Sequence, residues 1–400
     1  MPRRGSCPSE VRLKALFFLV AVQVGCSSTG PTPADSFYRG DLERALDLAA
    51  EKAQPRDEDY ALHRNEEASV CLALGRWDRA LSAILEANRV IESFGGAQGR
   101  EVLAIVASES AKVFKGEPYE RAMNAYYGGL LYLIRGDHDN GLAGFRNALF
   151  RDAASADPKY EGDFGPALYL LGREALRNGD IEEAHRYLDS LRARFPNNPY
   201  VAKPDPEANL LLFVDLGRGP EKVAAGLQGS KTEYRIEGGL VSGCDVRLGS
   251  TFLGRTARLE SLYFQATTRG PREFDAILEG KAIAREASEK VGLGLLWAGA
   301  TGHGSRDGRT LATLGGGLFL LSRLIQSDVD VRHWACLPRE IHILEARVEP
   351  GRYEIEITGA GREVRAIEVR PEGQTVVYAR PDLPRRKLPS PQPTSERKEP

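Results

Sequence analysis

The sequence predicts an α+β chain in three parts: an N-terminal α-solenoid of helical repeats, a mixed strand/helix region with a Gly-rich helical pair, and a small β-domain near the C-terminus. Three observations predict it. A glycine-led phrase recurs four times between residues 37 and 200. Two apolar, glycine-rich runs fill residues 291–326. From Leu337 onward apolar residues alternate with polar ones, where earlier they follow a helical period.

The repeats come first. The recurring phrases are Gly40-Asp-Leu-Glu-Arg-Ala45, Gly75-Arg-Trp-Asp-Arg-Ala80, Gly136-Asp-His-Asp-Asn-Gly141 and Gly179-Asp-Ile-Glu-Glu-Ala184. Glycine ends one helix, where a left-handed residue is cheapest. A residue two positions on, such as Trp77, packs into the turn. The small residue five positions on (Ala80, Gly141, Ala184) lets the second helix cross its neighbours closely. Gly40 and Gly75 stand 35 residues apart, near the 34-residue tetratricopeptide period. In the last unit Gly172, Gly179, Ala184, Leu191 and Pro196 fall at tetratricopeptide spacings, and Ile181, Ala184, Leu188 and Leu191 share a helical face. Phe145 takes a core position in the third unit, and Tyr119, Met123, Tyr126, Leu130, Leu133 and Ile134 make another apolar face. Gly75 and Gly136 lie 61 apart, so an extra helix or degenerate unit is expected between them. A tetratricopeptide-like solenoid over 37–200 exposes a concave surface suited to peptides or partner proteins. Tyr119, Tyr126, Tyr127 and Tyr132 are expected mostly in the core.

After Pro199 the pattern changes. Residues 201–207 read as a proline-rich linker. Leu210 to Val214 reads as a buried strand, and Thr232 to Glu237 and Arg258 to Ala266 as further strands. Arg272 to Lys290 reads as a helix. Within 291–326 each apolar half is about 10–16 residues, shorter than the ~20 a spanning helix needs. Two tightly packed buried helices are expected there, the alternative being a hairpin that touches membrane or another subunit. Gly302-His-Gly-Ser-Arg-Asp-Gly308 between them lacks the spacing and lysine of a phosphate loop, which excludes nucleotide binding on that motif. Strands then follow at Tyr353–Ile357, Val364–Val369 and Val376–Tyr378. They are expected to form a β-domain over 331–382, with a disordered Pro/Ser/Arg/Lys-rich tail at 383–400.

At the other end, Arg3, Arg4, Arg12 and Lys14 precede the apolar run Ala15–Val22, which has the length of a leader's hydrophobic region and is too short to span a bilayer. Gly25-Cys26 follows directly. This arrangement resembles the lipobox of bacterial lipoproteins, although Gln23 stands where the lipobox carries Leu or another aliphatic residue. The resemblance implies a leader over 1–26, acylation of Cys26, and membrane lipid as a partner without any spanning helix. Ser27 after the cysteine resembles outer-membrane sorting. Residues 27–36 are expected to form a flexible tether.

Length and charge limit the rest. The chain has 400 residues, 42% hydrophobic, with a net charge of -2, so it can build several cores and has no general bias toward nucleic acid. Cys71, Cys244 and Cys336 lie far apart with no CxxC pair, and three buried unpaired thiols are expected. No two of the six histidines show metal-ligand spacing. His333, beside Trp334, is the most distinctive and is read as packed or capping. Glu66 and Glu67 read as a solvated face, and Asp328 with Asp330 could bind a cation, although two carboxylates alone are weak support. No catalytic residue, metal or cofactor is expected.

Two longer stretches, Phe114 to Asn140 and Asp328 to Tyr353, resemble a family of uncharacterised bacterial tetratricopeptide-repeat lipoproteins. Val348 to Ile355 is similar to the PEGA type of small extracellular β-domain. The resemblance implies an envelope location, on the periplasmic face of the outer membrane, and repeats. It implies no activity. The leading expectation is a non-catalytic, lipid-anchored scaffold that binds other envelope proteins or peptides through its repeats. The alternatives are a membrane-associated assembly subunit, homo-oligomeric or inserted through 291–326, and a hydrolase with an unrecognised site.

Overall fold

Helix signals start earlier than the tether reading allows. Thr32 accepts from the Asp35 amide while Asp35 accepts from the Thr32 amide, Pro33 opens the helix, and Phe37 is buried, so α1 spans Pro33–Tyr38. The expected tether of 27–36 is therefore corrected: its last residues are helical. This computed structural model describes residues 30–93, 113–153, 162–225, 231–238, 242–268 and 330–384. The leader with Cys26, the segment 94–112 where an extra unit was expected, the helix expected at 272–290 and the Gly-rich pair at 291–326 lie outside them.

Among the described residues the helices pair as hairpins: α1 with α2 (Leu42–Lys52), α3 (Tyr60–Leu74) with α4 (Trp77–Ser93), α5 (Pro118–Arg135) with α6 (His138–Asp152), and α7 (Gly165–Arg177) with α8 (Ile181–Arg194). Each packs on the next in chain order. The four phrase glycines all sit in the turns with left-handed backbone, φ between 71 and 84°, which is why the phrase recurs. Asp137 and Asp180 cap the helices after them. Ala80, Phe145, Ala184, Leu188 and Leu191 are fully buried, and Trp77 packs half-buried against the core. Gly172 is needed for a close crossing, since a Cβ there would lie 2.6 Å from Leu188 Cγ.

Some expectations fail within the helices. Ile181 is 54% exposed because it opens α8 at the edge of the array. Pro196 is exposed and Phe195 beside it is buried, so the repeat closes on the aromatic ring. Glu66 and Glu67 are buried, because α3 is wedged between α2 and α4. Glu67 is held there by Arg64 and by Arg79 at 2.7 Å.

Val201, placed in the linker by sequence, is buried in the short helix α9 (Pro199–Ala202). Ten strands follow: β1 (Leu210–Leu216), β2 (Glu221–Ala225), β3 (Lys231–Arg235), β4 (Asp245–Leu248), β5 (Thr251–Arg255), β6 (Ala257–Ser261), β7 (Glu340–Ala346), β8 (Gly351–Thr358), β9 (Arg362–Val369) and β10 (Thr375–Ala379). After β6 the chain turns into helix α10 (Leu262–Thr268), where sequence had suggested more strand.

The strands do not keep to separate domains. The first sheet runs β10-β1-β7-β6 and the second β5-β4-β8-β9, with β2-β3 a separate hairpin. The expected self-contained β-domain over 331–382 is thus corrected, since every strand in it belongs to a sheet completed by strands from 210–261. The reason lies in β1, which is buried along its whole length. A strand apolar on both faces needs a partner on each edge and a layer on each side. It finds β7 antiparallel on one edge and β10 parallel on the other.

Three layers result. Leu211, Phe213, Ile341, Ile343 and Tyr378 face the helices. Leu210, Leu212, Val214, Leu216 and Leu344 face the second sheet and meet Val246, Leu248, Ile355 and Ile357. The described residues from Thr32 onward form one compact unit. Leu383 is buried, which corrects the start of the expected tail; residues 385–400 lie outside the described ones.

Gly172→Ala is expected to destabilise the protein by about 1–3 kcal/mol through overpacking, although Gly→Ala inside a helix ordinarily stabilises. Urea unfolding checks the sign. Shortening Leu188 to Val should relieve that cost and leave the cost of Gly179→Ala, which meets no atom within 4 Å, unchanged.

Candidate functional site: the inner face of the helical array

One side of the helical array packs against a later segment of the same chain. Residues 330–339, the strap between the undescribed 269–329 and β7, cross the inner ends of α1, α3 and α5. Trp334 sits at the centre, 1% exposed. Its amide donates to Glu120 Oε1 at 2.5 Å, its indole N–H donates to Ser69 Oγ at 2.9 Å, and its ring meets Tyr127 edge-on. Arg332 reaches Asp59 at 2.6 Å and Asp330 at 2.7 Å. Tyr38 Oη lies 2.8 Å from the Leu337 carbonyl, and Arg380 donates to the Cys336 and Gly217 carbonyls at 2.8 and 3.0 Å.

Below the strap the first sheet completes the seal. Tyr127 and Tyr378 both donate to Asp215 Oδ2. Tyr169 and Arg173 of α7 hold Glu345 of β7. The first amide of α7, at Gly165, donates to Glu260 Oε2 at 2.7 Å, and Arg194 pairs with its other oxygen at 2.7 Å. A buried carboxylate at a helix N-terminus with a guanidinium partner is a satisfied arrangement.

Burial acts strongly on two acids. It pushes Asp215 up to about 6, against the opposing pull of Arg380 and the two tyrosine hydroxyls. It pushes Glu120 up to about 7, against Lys222 and the Trp334 amide. Asp215 ties α5 to β1 and β10, and Glu120 ties α5 to the strap. Neither faces an opening.

The residues singled out by sequence spread along the array and do not converge. Gly75, Gly136 and Gly179 form turns, and Trp77, Ala80, Phe145, Gly172 and Ala184 pack helices. Pro196 stands at a cleft rim. His333 has its Nδ1 3.0 Å from the Val331 carbonyl and meets no acid. Tyr119, Tyr126 and Tyr127 are core, and Tyr132 is half-buried. Cys71, Cys244 and Cys336 are free and buried. Burial pushes the Cys71 thiol to about 12 and raises the other two.

Clefts open at the edges of the described body. One, of about 360 Å³, lies where α8 ends against β6 and β7. Glu340 and His342 line it, joined at 2.9 Å, with Arg258 on the far carboxylate oxygen at 3.4 Å. Sequence reasoning passed over this pair, yet two residues apart on a strand means one face. Thr256, on the same cleft, accepts from the Cys244 amide through its hydroxyl at 2.8 Å. The other cleft, of about 510 Å³, joins the turn Gly136-Asp-His138 to α7 and to the β9–β10 turn. His138 pairs with Glu174 at 3.0 Å, and Arg177, Arg370 and Glu372 ring the opening. No group of three or more His, Cys, Asp or Glu able to hold a metal occurs among the described residues, and no described helix is long and apolar enough to cross a membrane.

Comparison with family models, with curated proteins and with solved structures brings no match.

Three outcomes follow from this geometry. Trp334→Ala should cost about 3–5 kcal/mol in urea unfolding. The three body thiols should resist maleimide in the native protein and react fully once unfolded. For Asp215, the folded pKa lies above the unfolded one, so the stabilisation from its proton is complete below ~3.9 and lost as pH rises through about 6. Wild type should therefore lose on the order of 3 kcal/mol relative to Asp215→Asn between pH 4 and 7. Parallel pH profiles for the two would contradict the assignment.

Proposed function

We propose that the chain is a non-catalytic, lipid-anchored scaffold of a bacterial envelope, held at the periplasmic face of the outer membrane through Cys26 and binding other envelope proteins or peptides. The hairpins are read as tetratricopeptide-like repeats. One acyl chain holds a protein marginally and two or more hold it stably, at ~0.8 kcal/mol per buried methylene. The lipobox-like Gly25-Cys26 after a short apolar run is what supports the anchor.

The filled inner face carries the binding part of the reading. Trp334 and residues of the first sheet share one core with the helices, so a partner is expected on outer surface. The cleft at His138, Glu174, Arg177 and Arg370 is the open place where repeat turns and β-layer meet. Its mixed charges suit a polar, charged segment more than an apolar one. The second reading, assembly through 291–326, rests on the apolar glycine-rich composition of that stretch; deletion of 291–326 that destroys an oligomer while leaving partner binding intact favours it.

Mass spectrometry of the exported protein should find a mature N-terminus at Cys26 carrying diacylglycerol and a further acyl chain, and an intact leader on a freely soluble protein would contradict the anchor. A photo-crosslinking residue placed at Glu372 should capture a discrete envelope partner, with the yield reduced at least about fivefold by Arg370→Glu, roughly the 1 kcal/mol of one exposed ion pair. Unchanged capture would move the binding surface elsewhere.

A further inference from the structure

The first sheet ends on one side at β10, which pairs with β1 alone among the described strands. Along a strand, successive residues turn their amide and carbonyl to opposite edges. The Thr375 amide donates to the Asn209 carbonyl at 2.7 Å, and the parallel register runs from Thr375 with Leu210 to Ala379 with Val214. Thr375, Val377 and Ala379 therefore bond to β1, and Val376 and Tyr378 turn their backbone groups to the outer edge. Farther along that edge Tyr378 is buried, and the Arg380 amide is held by Glu363 Oε2 at 3.0 Å. Val376 is half-buried and lines the cleft that His138 and Glu174 also line. The open part of the strand edge thus lies at this cleft.

The charges around it are arranged unevenly. Arg370, directly after β9, donates to the Ile134 carbonyl at the end of α5 at 3.1 Å. A Cβ on Gly136 would lie 3.0 Å from Arg370 Nη1, so the bare glycine lets the guanidinium rest on the repeat turn. Held there, Arg370 forms no ion pair among the described residues. Arg177 of α7 lies 3.8 Å from Glu174 Oε2, and His138 already holds that oxygen at 3.0 Å. Glu372 is exposed on the β9–β10 turn. Two guanidinium groups therefore line one opening, one without an acid and one sharing an acid with a histidine. A planar guanidinium matches a carboxylate through two parallel hydrogen bonds.

We propose that this cleft takes an extended, acidic segment of a partner protein, which adds to the open edge of β10 at Val376 and sets a carboxylate against Arg370 and Arg177. The proposal rests on the reading of this cleft as the binding surface. Strand addition supplies main-chain hydrogen bonds that any sequence can make, and side-chain pockets beside the edge supply the preference. Here the pocket is the cleft of about 510 Å³, and its preference is for acid.

The test is a selection of short peptides from a random display library on the full chain purified in detergent. Retained peptides should share an Asp or Glu at one position. Binding of the tightest should fall at least about tenfold when that acid becomes its amide, and by a similar factor in Arg370→Gln. Arg177→Gln, which leaves the Ile134 contact in place, should also weaken it, and melting curves separate lost binding from lost folding. Arg370→Glu should bind the peptide again once its acid is replaced by lysine. Methylating the peptide's backbone amides one at a time should weaken binding at alternate residues, as for a strand paired on one edge. Retention of no peptide, peptides with no shared acid, binding indifferent to both arginines, or methylation effects without alternation overturn the proposal. The earlier reading fails separately, as crosslinking from position 372 that survives Arg370→Glu in the envelope.

Discussion

Trp334 is the contact on which the arrangement of layers depends. Its indole lies among side chains of α3 and α5, its amide is held by Glu120, and the strap that carries it runs directly into β7. Helical hairpins stacked in a row bury their sides against each other and leave an inner surface that, in this chain, is strongly apolar: Phe37, Tyr119, Tyr126, Phe164. Exposed to water, that surface would be a large aggregation-prone patch. The strap and the first sheet cover it. β1 in turn is apolar on both faces and needs the helices on one side and the second sheet on the other. Helices and sheets are therefore incomplete without each other.

The polar ties across this interface give it direction. Apolar burial alone tolerates sliding, whereas Asp215, Glu260 and Glu345 each accept hydrogen bonds from groups on named helices or strands and lose them in any other register. These acids are buried and costly to leave unpaired. They hold one docking geometry, and they explain why the strongest electrostatic perturbations lie deep in the molecule and away from either cleft.

Much of this was legible in the sequence and some was not. The glycine phrases marked all four turns, because a left-handed residue between helices admits few alternatives. The alternation around Tyr353–Ile357 marked β8 for a similarly local reason. Pairing was hidden, since a strand's partner is set by tertiary contact. Nothing local in Thr375–Ala379 says that it lies parallel to Leu210–Val214, 165 residues before it. Hence the strands of 331–382 read as a separate domain when they are shared. Glu66 and Glu67 misled because helix α3 is buried nearly all round, so charge did not signal exposure. The Glu340–His342 pair follows from strand period, two residues apart on one face, whereas His333 beside its tryptophan is the more distinctive pattern in the sequence. The packing of the strap against the helices was not readable at all, because the strap has no regular period.

The central claim is that the helical array and the β-layers form one cooperative unit. The most direct measurement is thermal and urea unfolding of residues 27–203 alone, followed by far-ultraviolet circular dichroism. Without strap and sheet the array should lack a cooperative transition and expose its inner face to a hydrophobic dye. A sharp, two-state melt with the helicity of the intact protein would contradict the account and return the array to the status of an independent domain.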